Sequence, residues 1–193
     1  MAKSYENGPL QVAASYLQIN NPGDGLNVGG ATSQADSTST FVAARQRTFG
    51  GGVNYAFGPA TFGFVYTHTK LDGLDAISIN DDYEALSGSS LRLDNYEVNT
   101  RYALTPALSI DGAYTFTNGS FTSSTGNAKP KYHQVSLLAD YGMSKRTDVY
   151  VEGVFQHASG GGGTLLGDAA INGVSPSTTD QQVAVTVGMR HRF

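Results

Sequence analysis

The C-terminal segment of the chain alternates between two kinds of side chain, residue by residue. Every second position from Val183 to Phe193 is apolar or aromatic, with His191 as the one departure. The positions between them are small, hydroxyl-bearing or charged, and the last two are Arg190 and Arg192. Because successive side chains of an extended strand point to opposite faces, this period of two predicts a β-strand with an apolar and a polar face.

The same alternation recurs in seven earlier segments, so the sequence predicts eight strands after a short stub at residues 2–6. The apolar faces of the earlier strands begin, in chain order, at Leu10, Phe49, Ala60, Tyr96, Leu108, Val135 and Val149. Four connections are short turns. The other four are long and rich in Gly, Ser, Thr, Asn and Asp, near residues 20–40, 71–90, 118–130 and 158–178. Short turns on one side and long loops on the other are typical of outer-membrane barrels.

The sequence therefore predicts an all-β fold, a transmembrane antiparallel up-and-down β-barrel, with residues 1–193 as a single barrel segment. About ten residues per strand at roughly 3.3 Å each, tilted about 45°, span close to the apolar band of about 25 Å. Aromatic residues fall near both strand ends, where membrane interfaces attract them. The predicted aromatic girdle comprises Tyr16, Tyr55, Tyr66, Tyr102, Tyr114, Tyr141 and Phe193.

Composition removes several other classes of protein. The net charge of −4 and the lack of a dense Lys/Arg run argue against nucleic-acid binding, which needs a basic face. Without cysteine there is no disulfide, zinc-thiolate site or thiol nucleophile, and no Ser, His and carboxylate stand in a recognisable catalytic arrangement. Neither an enzyme nor a cofactor or metal site is predicted.

The polar faces carry charges that we expect to line an aqueous channel, where they would bias the passage of ions. The residues predicted to line the pore are Asn95, Glu97, Arg101, Asp111, Asp140, Glu152, Arg190 and Arg192. The same charges could instead neutralise one another across neighbouring strands. The two interpretations are compatible.

Arg45 and Arg47 are harder to place, because strict alternation through Phe49 would point both towards lipid. A bulge at Gly50-Gly51-Gly52 would turn them inward, since glycine within a strand often marks a bulge. Otherwise they lie above the apolar band and contact anionic lipid headgroups. The sequence leaves both interpretations open.

Several segments carry a recognisable pattern, among them Phe57-Gly58-Pro59-Ala60-Thr61, Ser144-Lys145-Arg146-Thr147-Asp148 and, as the most specific, the ending Gly188-Met189-Arg190-His191-Arg192-Phe193. These segments resemble the Gram-negative general porins of the β-proteobacterial type. The resemblance implies a sixteen-stranded, usually trimeric barrel in the bacterial outer membrane, in contact with its lipids. It also implies a water-filled channel for passive diffusion of small hydrophilic solutes and ions. A terminal Phe193 resembles the signal that the outer-membrane assembly machinery reads.

Eight strands correspond to half of such a barrel, and we expect this chain to be the C-terminal half. The inward-folded third loop that narrows the pore in this family would then be absent. The alternative is a complete eight-stranded outer-membrane barrel whose interior is filled by side chains. Such a barrel would act in adhesion or ligand binding through its long loops.

Overall fold

The computed structural model describes residues 1–20, 41–79, 82–124 and 126–193, and nearly all of them lie in antiparallel strands. The elements are β1 (Ala2–Asn7), β2 (Leu10–Asn20), β3 (Phe41–Phe57), β4 (Ala60–Ile79), β5 (Asp82–Ala103), β6 (Leu108–Ser123), β7 (Gly126–Ala128), β8 (Lys131–Gly142), β9 (Thr147–Ser159), a 3₁₀ turn (Leu165–Gly167) and β10 (Gln181–His191). The predicted all-β class and the antiparallel arrangement are confirmed. Across the described ranges, no helix is long and apolar enough to cross a membrane.

The strands form one up-and-down sheet in which each long strand pairs with its neighbours in chain order. β1 is the predicted stub, the eight predicted strands are β2–β6 and β8–β10, and the short β7 pairs with β6. Among the described strands, β1 pairs only with β2 and β10 only with β9. These two strands form the two edges of the sheet.

The short connections are built by local turn chemistry. Gly8 and Gly58 have φ values of 58° and 56°, and each is followed by proline. Positive φ at the first loop position is what the tight hairpin turns require, and glycine adopts it without a steric penalty. In the two later turns, the hydroxyls of Thr105 and Ser144 accept hydrogen bonds from backbone N–H groups two and three residues further on.

Two predicted loops are wrong in extent. The segment 71–90 was expected to be a loop, but β4 continues to Ile79 and β5 begins at Asp82, so most of it is a long hairpin. The physical reason is burial: Leu71 pairs directly with Leu91, and both are almost fully buried despite their polar neighbours in sequence. Within 118–130, β6 likewise reaches Ser123 and the chain folds back as β7. The predicted loop at 20–40 lies almost wholly outside the described residues.

The sheet exposes its apolar side chains and has little conventional core. On β10, Val183, Val185, Val187 and Met189 are each about 70% exposed or more. Monomeric soluble proteins rarely expose contiguous apolar patches of this kind. One compact apolar cluster does form at the loop end of the sheet, from Ala43, Leu71, Leu74, Leu91, Phe121, Ala128 and Leu166. Lipid would be the natural neighbour of the exposed side.

Candidate functional site

One face of the sheet, which we call the polar face, carries all eight residues predicted to line a pore. Residues directly opposite in an antiparallel pair share a face, and the pairings connect Arg101 with Asp111 and Asp148 with Arg190. Arg192, just past β10, lines the same groove as Arg101, Asp140 and Arg190. The alternation within β5 and β9 places Asn95, Glu97 and Glu152 on the same face.

Short polar side chains form hydrogen-bonded ladders across the middle of the polar face. The Asn95 amide donates to the Thr67 hydroxyl at 2.9 Å and accepts from Thr117 at 2.6 Å. Glu97 accepts from Asn99 at 2.9 Å and from Thr115 at 3.2 Å. These ladders satisfy polar groups across three strands while leaving the side chains short, so the wall is hydrophilic and not bulky.

Near the short turns, the polar face carries ion pairs. The Arg101 guanidinium lies 3.6 Å from the Asp111 carboxylate and donates to the Ser109 hydroxyl at 3.1 Å. Arg190 lies 2.7 Å from Asp148 and 3.7 Å from Asp140, so one guanidinium bridges two carboxylates on neighbouring strands. The expected neutralisation across neighbouring strands therefore occurs here, and Arg101, Asp140, Asp148 and Arg190 also border an open groove.

The opposite face, which we call the apolar face, carries six of the seven residues of the predicted girdle. The seventh, Phe193, lies just past the end of β10 at a position that continues the apolar alternation of that strand. Near the loop end, aromatic rings contact one another from strand to strand: Phe49 stacks on His68 at 4.8 Å, and Tyr66 lies 5.2 Å from Tyr96. Tyr16 pairs with Phe49, and Tyr114 hydrogen-bonds to His133 at 2.7 Å.

At the turn end of the apolar face, the aromatic residues have aliphatic or aromatic cross-strand partners. Tyr55 lies opposite Leu10 and Phe62, Tyr102 opposite Ala60 and Ile110, and Tyr141 opposite Leu108 and Val149. The Phe193 ring contacts His191 edge-on at 4.9 Å.

The structure excludes one of the two interpretations of Arg45 and Arg47. Residues pair one to one through Gly50-Gly51-Gly52 on both sides of β3, so no bulge occurs there and that interpretation is wrong. The glycines keep the regular pleat, and both arginines lie on the apolar face with Phe49. They contact Asp72 on β4, at 3.0 Å from Arg45 and 2.7 Å from Arg47.

The connection between β9 and β10 folds over the polar face at its loop end. The Tyr132 hydroxyl donates to the Leu166 backbone carbonyl at 2.7 Å, and the side-chain Oε1 of Gln156 accepts a hydrogen bond from the Ala170 N–H at 2.6 Å. Gln182 accepts the Ile171 N–H at 2.7 Å and donates to a further backbone carbonyl in the connection. Three side chains of the polar face thus hold the backbone of residues 160–180.

Apolar packing fixes the same connection. Leu166, only 3% exposed, joins the apolar cluster beside Leu71, Leu91 and Phe121, whose side chains belong to the polar face. Gly161 touches the Gly167 backbone so closely that a Cβ there would overlap it. Sequence reasoning missed this arrangement, because Tyr132, Gln156 and Gln182 look like ordinary polar wall positions.

No metal centre is assembled in the part of the chain that the structure describes, since no three His, Cys, Asp or Glu side chains there are grouped to hold an ion. The candidate functional features are the polar face, the folded-in connection and the exposed apolar face.

Comparison with solved structures gives the same fold. OmpT, an outer membrane protein of Vibrio cholerae, superposes in its in-vitro folded form with a TM-score of 0.62 and 15% identity, over 98% of this chain and 53% of that one. Its trimer form gives 0.62 and 18%, over 98% and 54%. An anion-selective porin from Comamonas acidovorans gives 0.61 and 18%, over 100% and 48%. The chain spans about half the length of each of these structures.

Sequence comparison supplies the family. Among curated proteins, none matches the chain. Residues 1–161 match the family described as Gram-negative porin, which covers most of the chain. At such low identity, the similarity to the solved structures shows only a shared fold. The family match adds that the chain is related by sequence to the Gram-negative porins. The expected resemblance is thereby confirmed: the chain belongs to the Gram-negative porin family and to the bacterial outer membrane.

Proposed function

We propose that the chain forms the wall of a water-filled channel through which small hydrophilic solutes and ions diffuse passively. One observation carries the proposal: a continuous polar face opposite a continuous, highly exposed apolar face. In a bilayer the apolar face suits lipid, and the polar face then needs water or another polar surface against it. Membership of the porin family supports water. A catalytic role is not part of the proposal.

The eight polar-face residues would border the channel, and they would act mainly through charge. On the polar face of β5 to β10, the carboxylates Glu97, Asp111, Asp140, Asp148 and Glu152 outnumber the guanidiniums of Arg101, Arg190 and Arg192. Glu152 lies opposite Leu138 and Thr186, so neither of its paired neighbours carries a cation. This part of the wall would therefore favour cations slightly over anions.

The edges of the sheet support residues 1–193 acting as one membrane segment within a larger closed wall. In hydrocarbon, each unsatisfied backbone N–H or C=O costs several kcal/mol. The free edges of β1 and β10 therefore need partners in the membrane. Further strands of the same protein, as in a sixteen-stranded barrel, would supply them. The trimer form of the Vibrio cholerae structure supports a homotrimer, and the exposed Phe193 supports recognition by the assembly machinery.

Liposome swelling tests the proposal. The protein is purified from outer membranes of a Gram-negative host that expresses it and is incorporated into vesicles held in isotonic solutions of uncharged sugars. We expect swelling rates that fall smoothly as sugar size increases, because passage depends on fit and not on a saturable site. Vesicles that swell no faster than protein-free ones would contradict the channel and favour the plugged, ligand-binding barrel.

A further inference from the structure

A group of charged side chains lies on the apolar face, just beyond the loop-end aromatic residues. It consists of Arg45, Arg47, Lys70, Asp72, Arg92 and Asp94, and we call it the outer basic cluster. The strand register places the cluster on this face. Arg47 pairs with Lys70, and Lys70 pairs with Arg92. Each of the three lies two residues along its strand from a member of the paired row Phe49, His68 and Asp94, so both rows share one face. These charges therefore lie on the side of the sheet opposite the polar face.

The cluster lies at the height of the membrane interface. Lys70 and Asp72 are ten and twelve residues beyond Ala60, where β4 leaves its short turn. At about 3.3 Å per residue and a tilt of about 45°, they stand roughly 23 and 28 Å from the turn, at the far edge of an apolar band about 25 Å tall. Acyl chains covering the apolar face would bring their headgroups to this level.

Internal ion pairs organise the cluster without neutralising it. Asp72 contacts Arg45, Arg47 and Lys70 at 3.0, 2.7 and 2.9 Å, and Asp94 lies 3.4 Å from Arg92. Four cations thus surround two carboxylates, which leaves an excess of two positive charges. The side chains of Arg45 and Arg92 are 46% and 52% exposed, so their guanidiniums remain open to a further anion.

Hydrogen bonds also tie the cluster to the aromatic residues beneath it. The Tyr66 hydroxyl donates to Asp94 at 2.8 Å, and the His68 ring nitrogen lies 2.7 Å from the same carboxylate oxygen. Phe49 stacks on His68. An apolar surface for acyl chains, an aromatic interface and a fixed set of cations therefore follow one another along β3, β4 and β5.

We propose that the outer basic cluster binds the phosphate groups of a lipid headgroup in the membrane leaflet at the loop end of the barrel. Guanidiniums bind phosphate through paired, charge-assisted hydrogen bonds, and a fixed ammonium adds a point charge. Continuity with the apolar face favours a phosphate that carries acyl chains over a free ion. The cations on the polar face are the ones that would meet solutes, so lipid binding here is separate from permeation.

The test compares the purified protein with the double variant Arg45→Gln/Arg92→Gln in dodecyl maltoside micelles. The probe is lipid A, a phosphorylated lipid of the Gram-negative outer leaflet, and retained lipid is counted by native mass spectrometry. Two cations near an anionic headgroup are worth about thirtyfold in affinity, so we expect the double variant to bind about thirtyfold more weakly. The control Lys145→Gln/Arg146→Gln makes the same charge change at an exposed turn of the opposite end and should bind as the parent does.

Three further arms decide the source of the phosphate and guard against misfolding. Lipid A stripped of its phosphates should bind weakly to the parent, and inorganic phosphate should not displace intact lipid A. Asp72→Asn removes a carboxylate and should bind about fivefold more tightly. Any one of four results would overturn the proposal. The double variant could bind lipid A as well as the parent does, or the parent could bind stripped and intact lipid A equally well. Inorganic phosphate could displace intact lipid A, or Asp72→Asn could bind lipid A more weakly than the parent.

Discussion

Arginine has two different surroundings in this sheet, one on each face. Arg101 and Arg190 lie on the polar face beside carboxylates, near the short turns. Arg45 and Arg47 lie on the apolar face, but only beyond the aromatic residues, where headgroups are expected to replace lipid chains in a bilayer. A charge on the apolar face is thus tolerated at the interface and expected to be costly nearer the membrane centre.

A pair of substitutions on β10 tests this difference between faces. Val187, 78% exposed, lies about six residues or roughly 14 Å from the end of the chain, near the expected midplane. Val187→Arg should lower the free energy of unfolding in lipid vesicles by about 2–4 kcal/mol. Thr186→Arg, one residue away and opposite Glu152, should cost much less. Urea unfolding of both variants measures the difference, and equal losses would contradict the assignment of faces.

At the residue scale, the side that each side chain faces could be predicted from sequence because alternation is a strict geometric rule. The same rule, applied without exception, also puts Arg45 and Arg47 on the apolar face, and the glycines beside them keep the register. The contacts themselves could not be predicted. Arg190 bridging Asp140 and Asp148 depends on the register between three strands, which a single sequence does not state.

At the element scale, the connection between β9 and β10 is the feature with the clearest functional consequence. It lies over the polar face, held by Tyr132, Gln156 and Gln182 and by burial of Leu166. In the proposed channel, a segment in this position would reduce the open cross-section at the loop end. The sequence predicted only a long polar loop near residues 158–178.

Releasing this connection should widen the channel. Gln156→Leu/Gln182→Leu removes the acceptors for two backbone N–H groups, and each lost hydrogen bond costs about 1 kcal/mol. We expect a larger single-channel conductance, or frequent switching to a larger one, in planar bilayers. The control Gln181→Leu changes the adjacent glutamine, which follows the apolar face, and should conduct as the parent does. An unchanged conductance in the double variant would mean that the connection does not narrow the pore.

Strand length was the least predictable property of the elements. β4 and β5 extend well past the alternating segments into residues rich in Asp, Gly and Ser, because Leu71, Leu74 and Leu91 are buried there. Isolated leucines in a polar stretch give no clear period, so sequence reasoning assigned a loop. Their partners, Phe121, Ala128 and Leu166, come from distant segments.

At the scale of the whole molecule, the fold class and family could be predicted from sequence. The strands share an apolar/polar period of two, and the connections alternate between short turns and long loops. The chain spans about half the length of the solved structures it resembles, and its described sheet has two edges. Edge pairing, subunit number and pore width are therefore properties that the printed sequence does not specify. They depend on surfaces that must meet other strands or other subunits.

The central claim is that the polar face meets water while the apolar face meets lipid. Because the chain has no cysteine, single cysteines can be placed one at a time from residue 183 to 189 without background. The protein is then treated in lipid vesicles with a water-soluble, membrane-impermeant thiol reagent. We predict reaction at positions 184, 186 and 188 and protection at 183, 185, 187 and 189. Protection at every position, or reaction on the apolar set, would contradict the account.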